Sequence, residues 1–357
     1  MMIGQILGGH YRITGILGKG GFSQTYLAED THLPDRPVRV VKKLCPPSSD
    51  PATLQISRRL FDTETKVLYQ LGTYEFIPQL FAHFEENQEF YLVQEFIDGH
   101  DLSQELLPAT AVSQGVNRGV QLREDVVMKL LYDILEVLTY IHERKIIHRD
   151  IKPSNLIRRK SDGKIAIIDF GAVKAIRNQT YQSQGQINLT IPIGTEGYMP
   201  IEQEKGNPQL SSDIYAVGMV GIQALTGILP NQLPTDPNTG QVMWKNQVLV
   251  SAKLAEILEK MVRYAHRERY PTAREALDAI KALTLSTIAP TVVSLPPTRN
   301  PIIFWNNLSP HVKFKLGMFI GGVIAVILGL SIVRIFPQLL SKPGTTSTPA
   351  PINKGIW

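Results

Sequence analysis

The chain has 357 residues, about two domains' worth of folded mass, and its 43% hydrophobic and 19% charged residues exclude a wholly disordered polymer. A single cysteine, Cys45, rules out an internal disulfide framework and fits a reducing compartment. The net charge of +5, from 37 basic and 32 acidic residues, carries no nucleic-acid signature, so no nucleic-acid partner is expected.

The opening residues, MMIGQILGGHYRI, lack the basic start, apolar run and cleavage site of a signal peptide, and residues 1–10 read as a lead. From about Tyr11 to Leu283 the chain reads as a globular region large enough for two lobes and a cleft. YRITGILGKGGFSQTYLAED sets apolar residues on either side of a glycine cluster, as a hairpin does. Gly18, Gly20 and Gly21, followed by Phe22 and Ser23, leave bare backbone that can approach a triphosphate and offer it N–H donors. The segment is no P-loop, because no Gly-Lys-Ser/Thr opens a helix there. VRVVKKL is strand-like, and alternation puts Lys42 on the face of Val40 and opposite Lys43. ATLQISRRLFDTETKVLYQLG has the spacing of an amphipathic helix ended by Gly72; Lys42 alone reads as a solvated strand-end charge, and it reads as a phosphate-binding group if Glu64 on this helix pairs with it. EFYLVQEF is again strand-like, and QELLPATAVSQGVNRGVQL reads as a surface insert.

The second half is helical. VVMKLLYDILEVLTYIHERK predicts a long amphipathic helix, followed by the loop IIHRDIKPSNLI. That loop offers a carboxylate (Asp150) to accept a hydroxyl proton, an ammonium (Lys152) for a transferring phosphate, and an amide oxygen (Asn155) for a metal. The apolar run IAIIDFG ends on Asp169, a second hard oxygen ligand. SSDIYAVGMVGIQALTG, LAEILEKMVRYA and TAREALDAIKALT predict three further helices, with PNQLPTDPNTGQVMWKNQV as a second surface insert. The fold class expected is α+β and bilobal, a small β-rich lobe over residues 11–95 and a larger helical lobe over 96–283.

Residues 284–312 form a Pro/Thr-rich linker, and 337–357 a short tail too small to fold. Between them, Leu316 to Val333 is free of charge for 18 residues. That is roughly 27 Å of helix against a hydrocarbon core of about 30 Å, so a transmembrane helix is predicted over 316–336. Gly317, Gly321, Ala325 and Gly329 recur every fourth residue, a stripe that suits a membrane homodimer. Lys and Arg counts on the two sides are similar and do not settle orientation.

Taken in this order, the glycine cluster, Lys42, Glu64, HRDIKPSN and DFG resemble the eukaryotic-type (Hanks-type) Ser/Thr protein kinase family, and most of all its bacterial membrane-anchored branch. The resemblance covers about Tyr11–Leu283 and implies a bilobal protein-kinase fold, ATP with Mg2+ or Mn2+, and protein substrates with Ser or Thr acceptors. It implies that Leu17, Gly18, Lys19, Gly20, Gly21, Phe22, Ser23, Gln24 and Thr25 form the loop over ATP, with Ser23 at the family's third glycine and Thr25 at its valine. By the same likeness Lys42 contacts the α- and β-phosphates, Glu64 is its partner, and Gln94 is the gatekeeper. Glu95, Phe96 and Ile97 then form the hinge that meets adenine through its backbone. Asp150 matches the catalytic base, Lys152 the phosphate-contacting lysine, Asn155 and Asp169 the metal ligands, and Thr195 the residue that bonds the lysine and aspartate of the catalytic loop. His148 matches a structural position. Arg149 implies control by phosphorylation of the loop from Ala172 to Met199, where Thr180, Ser183 and Thr190 are available and Thr190 is favoured. Pro200-Ile201-Glu202 stands where the family has Ala-Pro-Glu, with Arg269 as the buried partner of Glu202 and Asp213 as the brace of the catalytic loop. The expected function is protein Ser/Thr phosphorylation in membrane-linked signalling, at the cell membrane with the lobes in the cytoplasm. The alternatives are a nucleotide-binding pseudokinase scaffold and a small-molecule phosphotransferase on the same fold.

Overall fold

Strand alternation builds the first lobe of the computed structural model. The structure describes residues 2–19, 23–45, 50–106, 119–170 and 195–288, apart from the helix side chains at 52–53, 56–57, 59–60 and 286–288. β1 (Ile6–Leu7), β2 (Tyr11–Lys19), β3 (Ser23–Asp30), β4 (Val38–Leu44), β5 (Leu80–Glu86) and β6 (Glu89–Glu95) form one antiparallel sheet in the order β1-β2-β3-β4-β6-β5. The sheet faces differ in destination. Tyr11, Ile13, Tyr26, Ala28, Val41, Tyr91 and Val93 face outward and, with Leu7, make a small core of their own. Leu44, Phe90 and Leu92 face inward and join Phe61, Leu68 and Leu71 of α1 (Pro51–Leu71) in a core that continues into the second lobe. Residues 2–10, within the segment expected as a lead, thus contribute an edge strand and a cover for the outer face. The sequence pattern also missed β5, whose half-exposed alternation over LFAHFEE is weak.

Helix α1 ends as its sequence predicts, at Leu71, with Gly72 left-handed (φ 61°) and its N–H donated to the Leu68 carbonyl. A short α2 (Ser103–Leu106) leads into the second lobe, where α3 (Glu124–Glu143) buries Val127, Leu130, Leu131, Ile134, Leu135, Leu138 and Ile141. The four-residue α4 (Ile201–Glu204) precedes α5 (Leu210–Thr226), which is buried nearly all round, as its apolar sequence requires. Helices α6 (Ala252–Met261) and α7 (Ala273–Ile288) pack on α5 and on α3. A three-stranded sheet of β7 (Gly99–Asp101), β8 (Leu156–Arg159) and β9 (Ile165–Ile167) underlies the cleft. At Gly99 an added Cβ would lie 2.2 Å from the Arg158 carbonyl oxygen, so only glycine lets these strands close.

One predicted helix is shorter than expected. LAEILEKMVRYA leaves helix at Met261, because the Arg263 and Tyr264 carbonyls accept hydrogen bonds from the buried Arg269 guanidinium, at 2.6 and 3.0 Å. The same guanidinium clamps Glu202 at 2.6 and 3.2 Å, and Ser212 donates to Glu202 at 2.7 Å. Among the described residues no helix is long and apolar enough to cross a membrane. Residues 284–288, expected to open the linker, instead extend α7 to Ile288, while the rest of the linker, the predicted helix at 316–336, its small-residue stripe and the tail lie outside the described residues.

Burial alone would raise the Glu202 carboxyl, but its hydrogen bonds from Arg269 and Ser212 hold it below the usual carboxylate range. The stabilisation is therefore complete above the ordinary carboxylate pKa and is lost as pH falls through the lowered one. Arg269→Ala, which strands a buried carboxylate, is expected to cost about 3–5 kcal/mol in urea denaturation at pH 7 and much less at pH 3. An equal loss at both pH values would refute the charge assignment.

Candidate active site

Strand β4 carries Lys42 on the inner face with Val40 and Leu44, as alternation predicts, and Lys43 opposite it reaches Glu89. Lys42 is 7% exposed, and its Nζ lies 2.8 Å from Oε1 of Glu64 on α1 and 2.6 Å from Oδ1 of Asp169 just beyond β9. Burial works against the lysine's charge, but Asp169 and Glu64 outweigh it and raise the Lys42 pKa, so the ammonium persists at any physiological pH. Burial also raises the Glu64 carboxyl against the pull of Lys42, with the second carboxylate, Asp169, adding to the rise. Asp169 takes a left-handed backbone (φ 61°), a strained conformation for a residue with a side chain. Phe170, 3% exposed, anchors it by packing into the main core and against His148, ring centroids 4.6 Å apart.

The loop after α3 supplies the second group. Asn155, in the tight turn Pro153–Asn155, donates its Nδ2–H to both the Asp150 backbone oxygen and Oδ2, at 2.8 Å each, and Lys152 Nζ lies 3.2 Å from that same Oδ2. The loop is braced from below by Asp213 on α5, 1% exposed, whose carboxylate accepts the backbone N–H groups of His148 and Arg149 at 2.8 Å each. His142 bonds Asp213 at 3.0 Å through Nε2, and its Nδ1 accepts from the Ala273 N–H. Hydrogen bonds hold the Asp213 carboxyl low against the effect of burial, that from His142 foremost. His148 is buried and its pKa is lowered by that burial, so it stays neutral. Its Nδ1 accepts from the Asp150 N–H, and its Nε2 bonds the Ile168 carbonyl. The position is structural, as the sequence reading holds.

The two groups meet at one place. The Ile168 N–H donates to the Asn155 carbonyl at 3.0 Å, so the residue before Asp169 is tied to the loop that carries Asp150. The other predicted residues fall on the following elements. Leu17, Gly18 and Lys19 end β2 and Ser23, Gln24 and Thr25 begin β3, with Gly18 opposite Thr25 and Lys19 opposite Gln24. Gly20, Gly21 and Phe22, at the tip, lie outside the described residues. Glu95 ends β6 and Ile97 follows in the irregular segment before β7. Thr195 lines a small cavity with Arg149, Asp150 and Asp213. Thr180, Ser183 and Thr190 lie outside the described residues. His142 and Gln203, both bonded into the site's frame, escaped the sequence reading; the i, i+6 spacing of His142 and His148 was the only cue to the first.

The donors suit a magnesium nucleotide. Asn155 commits its N–H to Asp150, which leaves its side-chain carbonyl oxygen as one hard donor, and the half-exposed Asp169 carboxylate is another. Among the described residues no cluster of three His, Cys, Asp or Glu could hold a metal unaided. One amide and one carboxylate oxygen are what magnesium takes when phosphates and water complete its shell.

Comparison with known proteins agrees with this geometry. Residues 11–280 match the protein kinase domain family. The chain is 42% identical over 296 residues to serine/threonine-protein kinase PknA of Nostoc sp., covering 82% of this chain and 49% of that protein. It is 41% identical over 281 residues to serine/threonine-protein kinase B of Synechocystis sp., covering 78% and 47%. The chain thus spans about half the length of the curated relatives it matches. The crystal structure of the PknI kinase domain of Mycobacterium tuberculosis superposes with a TM-score of 0.57 over 79% of this chain and 99% of that one, and at 22% identity it speaks to the fold alone. With the match over 11–280, the bilobal architecture and the ordered motifs in agreement, the chain belongs to the protein kinase family.

Proposed function

We propose that the chain is an ATP-dependent serine/threonine protein kinase that moves the γ-phosphoryl group to Ser and Thr hydroxyls of protein substrates. The observation that carries this reading is the convergence of Lys42, Glu64 and Asp169 with Asp150, Lys152 and Asn155 about the Ile168–Asn155 hydrogen bond. When bound, Mg2+ or Mn2+ with ATP supplies the transferable phosphoryl group and a cation that offsets its charge, held by Asn155 and Asp169. Lys42, kept charged, is positioned to orient the α- and β-phosphates, and the loop from Leu17 to Thr25 to cover them. Asp150 orients the acceptor hydroxyl and takes its proton; Asn155 fixes the rotamer of Asp150, and Lys152 offsets charge that develops between them. Lysine two residues beyond Asp150 favours Ser/Thr over Tyr acceptors by family analogy. Backbone atoms of Glu95 and Ile97 receive the adenine, and Thr195 supports Lys152 and Asp150.

Exposed Arg149 suits a phosphate on the loop before Thr195, and autophosphorylation at Thr190 is the proposed source. The uncharged run within 316–336 supports a single-pass anchor in the cell membrane, with the kinase lobes on the cytoplasmic side where ATP is available. The small-residue stripe at Gly317, Gly321, Ala325 and Gly329 supports a homodimer, and the setting proposed is membrane-linked signalling.

In a radiolabelled-phosphate transfer assay, Asp150→Asn is expected to lower kcat about 100- to 10,000-fold with little change in the KM for ATP; full activity in this variant would end the enzymatic reading. Phosphosite mapping of the active protein should find Thr190 modified, and an unmodified loop at full activity would remove the role given to Arg149. The full chain should stay with membranes through a carbonate wash while a chain ending at residue 289 is released, and release of both would exclude the anchor.

A further inference from the structure

Arg149 occupies the left-handed backbone region with φ 70°, which a residue with a side chain adopts only when its surroundings hold it there. The surroundings here can be counted. The N–H of Arg149 is fixed by Asp213 Oδ1 at 2.8 Å. The next peptide joins Arg149 to Asp150, and its two polar ends are held separately. Its N–H donates to His148 Nδ1 at a long 3.2 Å, and its C=O accepts from the side-chain amide of Gln203 at 2.6 Å. A carbonyl can only accept, so the Gln203 nitrogen must face it. Gln203 is therefore the shorter of the two restraints on the peptide plane from which the Asp150 side chain departs.

Gln203 is itself rigidly based. It follows Glu202, which Arg269 and Ser212 hold, and its own N–H donates to the Pro200 carbonyl at 3.0 Å. The clamp thus ties the segment containing Thr195, Tyr198 and Pro200, on the acceptor side of the site, to the loop that carries the base. Losing it would let the strained Arg149–Asp150 peptide rotate and carry the Asp150 carboxylate with it.

We propose that Gln203 is a positioning residue for the transfer reaction, its amide holding the Arg149–Asp150 peptide in the orientation that aims Asp150 at the acceptor hydroxyl. The proposal rests on the kinase reading above, and it predicts a loss in kcat rather than in nucleotide binding. The asymmetry follows from the geometry: the Gln203 contact is to the Asp150 loop, while Lys42, Glu64 and Asp169 are bonded to one another without it.

The test compares the full chain with Gln203→Ala and Gln203→Glu, using dephosphorylated casein and ATP as substrates. Gln203→Ala should lower kcat about five- to tenfold, the scale of one lost hydrogen bond, with the KM for ATP and the thermal midpoint unchanged. Gln203→Glu should be impaired at pH 8, where a carboxylate faces a carbonyl, and should recover relative to the wild type as pH falls and the protonated acid regains a donor; the alanine variant should show no such recovery. Hydrogen–deuterium exchange of amides 148–155 should rise in both variants at pH 8, a readout independent of turnover. A wild-type chain that transfers no phosphate would overturn the kinase reading and leave the exchange result to judge the clamp. Wild-type kcat and wild-type exchange in Gln203→Ala would overturn the proposal, as would a kcat loss that merely follows a lowered thermal midpoint.

Discussion

The site depends first on a buried carboxylate. Asp213 is 1% exposed and accepts hydrogen bonds from two successive backbone N–H groups and one imidazole. A charged group so placed is tolerable only when its lone pairs are filled, and here they are filled by the loop it supports. The arrangement fixes the loop's backbone rather than its side chains. Asp150, Lys152 and Asn155 then find one another over short distances, because the chain beneath them has little freedom.

The lysine side of the cleft follows a different logic. Lys42 is held by two carboxylates from two other elements, so its place depends on β4, α1 and the segment after β9 together. One cation between two acids leaves the cluster with an excess of negative charge when both carboxyls are ionised, the kind of excess that a divalent cation offsets. Burial of Phe170 and neutrality of His148 keep the Asp169 turn in register with the loop without adding charge to it.

Much of this was legible in the sequence, and for physical reasons. Alternation along VRVVKKL puts Lys42 inward, the 3.6-residue period puts Glu64 on the buried face of α1, and a glycine after Leu71 ends the helix. What stayed hidden was of two kinds. Strands β1 and β5 are short or half exposed, so their patterns do not stand out from loops. The frame around the site was hidden because it is made of bonds across long sequence separations, His142 to Asp213 and Gln203 to Arg149, between residue types that are unremarked in isolation. The early stop of α6 belongs with these, since it is imposed by an arginine that lies beyond the helix. Local pattern finds elements; it does not find the side chains that interrupt them.

The two cores of the first lobe share no residue: one faces outward beneath Leu7 and Tyr11, and the other runs under Leu44 and Leu92 into the rest of the protein. The lobe is in effect a laminate, with a veneer of aromatic rings on one side and the buried Lys42 on the other. A veneer of that kind can be repacked, residue for residue, at constant volume while the lysine keeps its place.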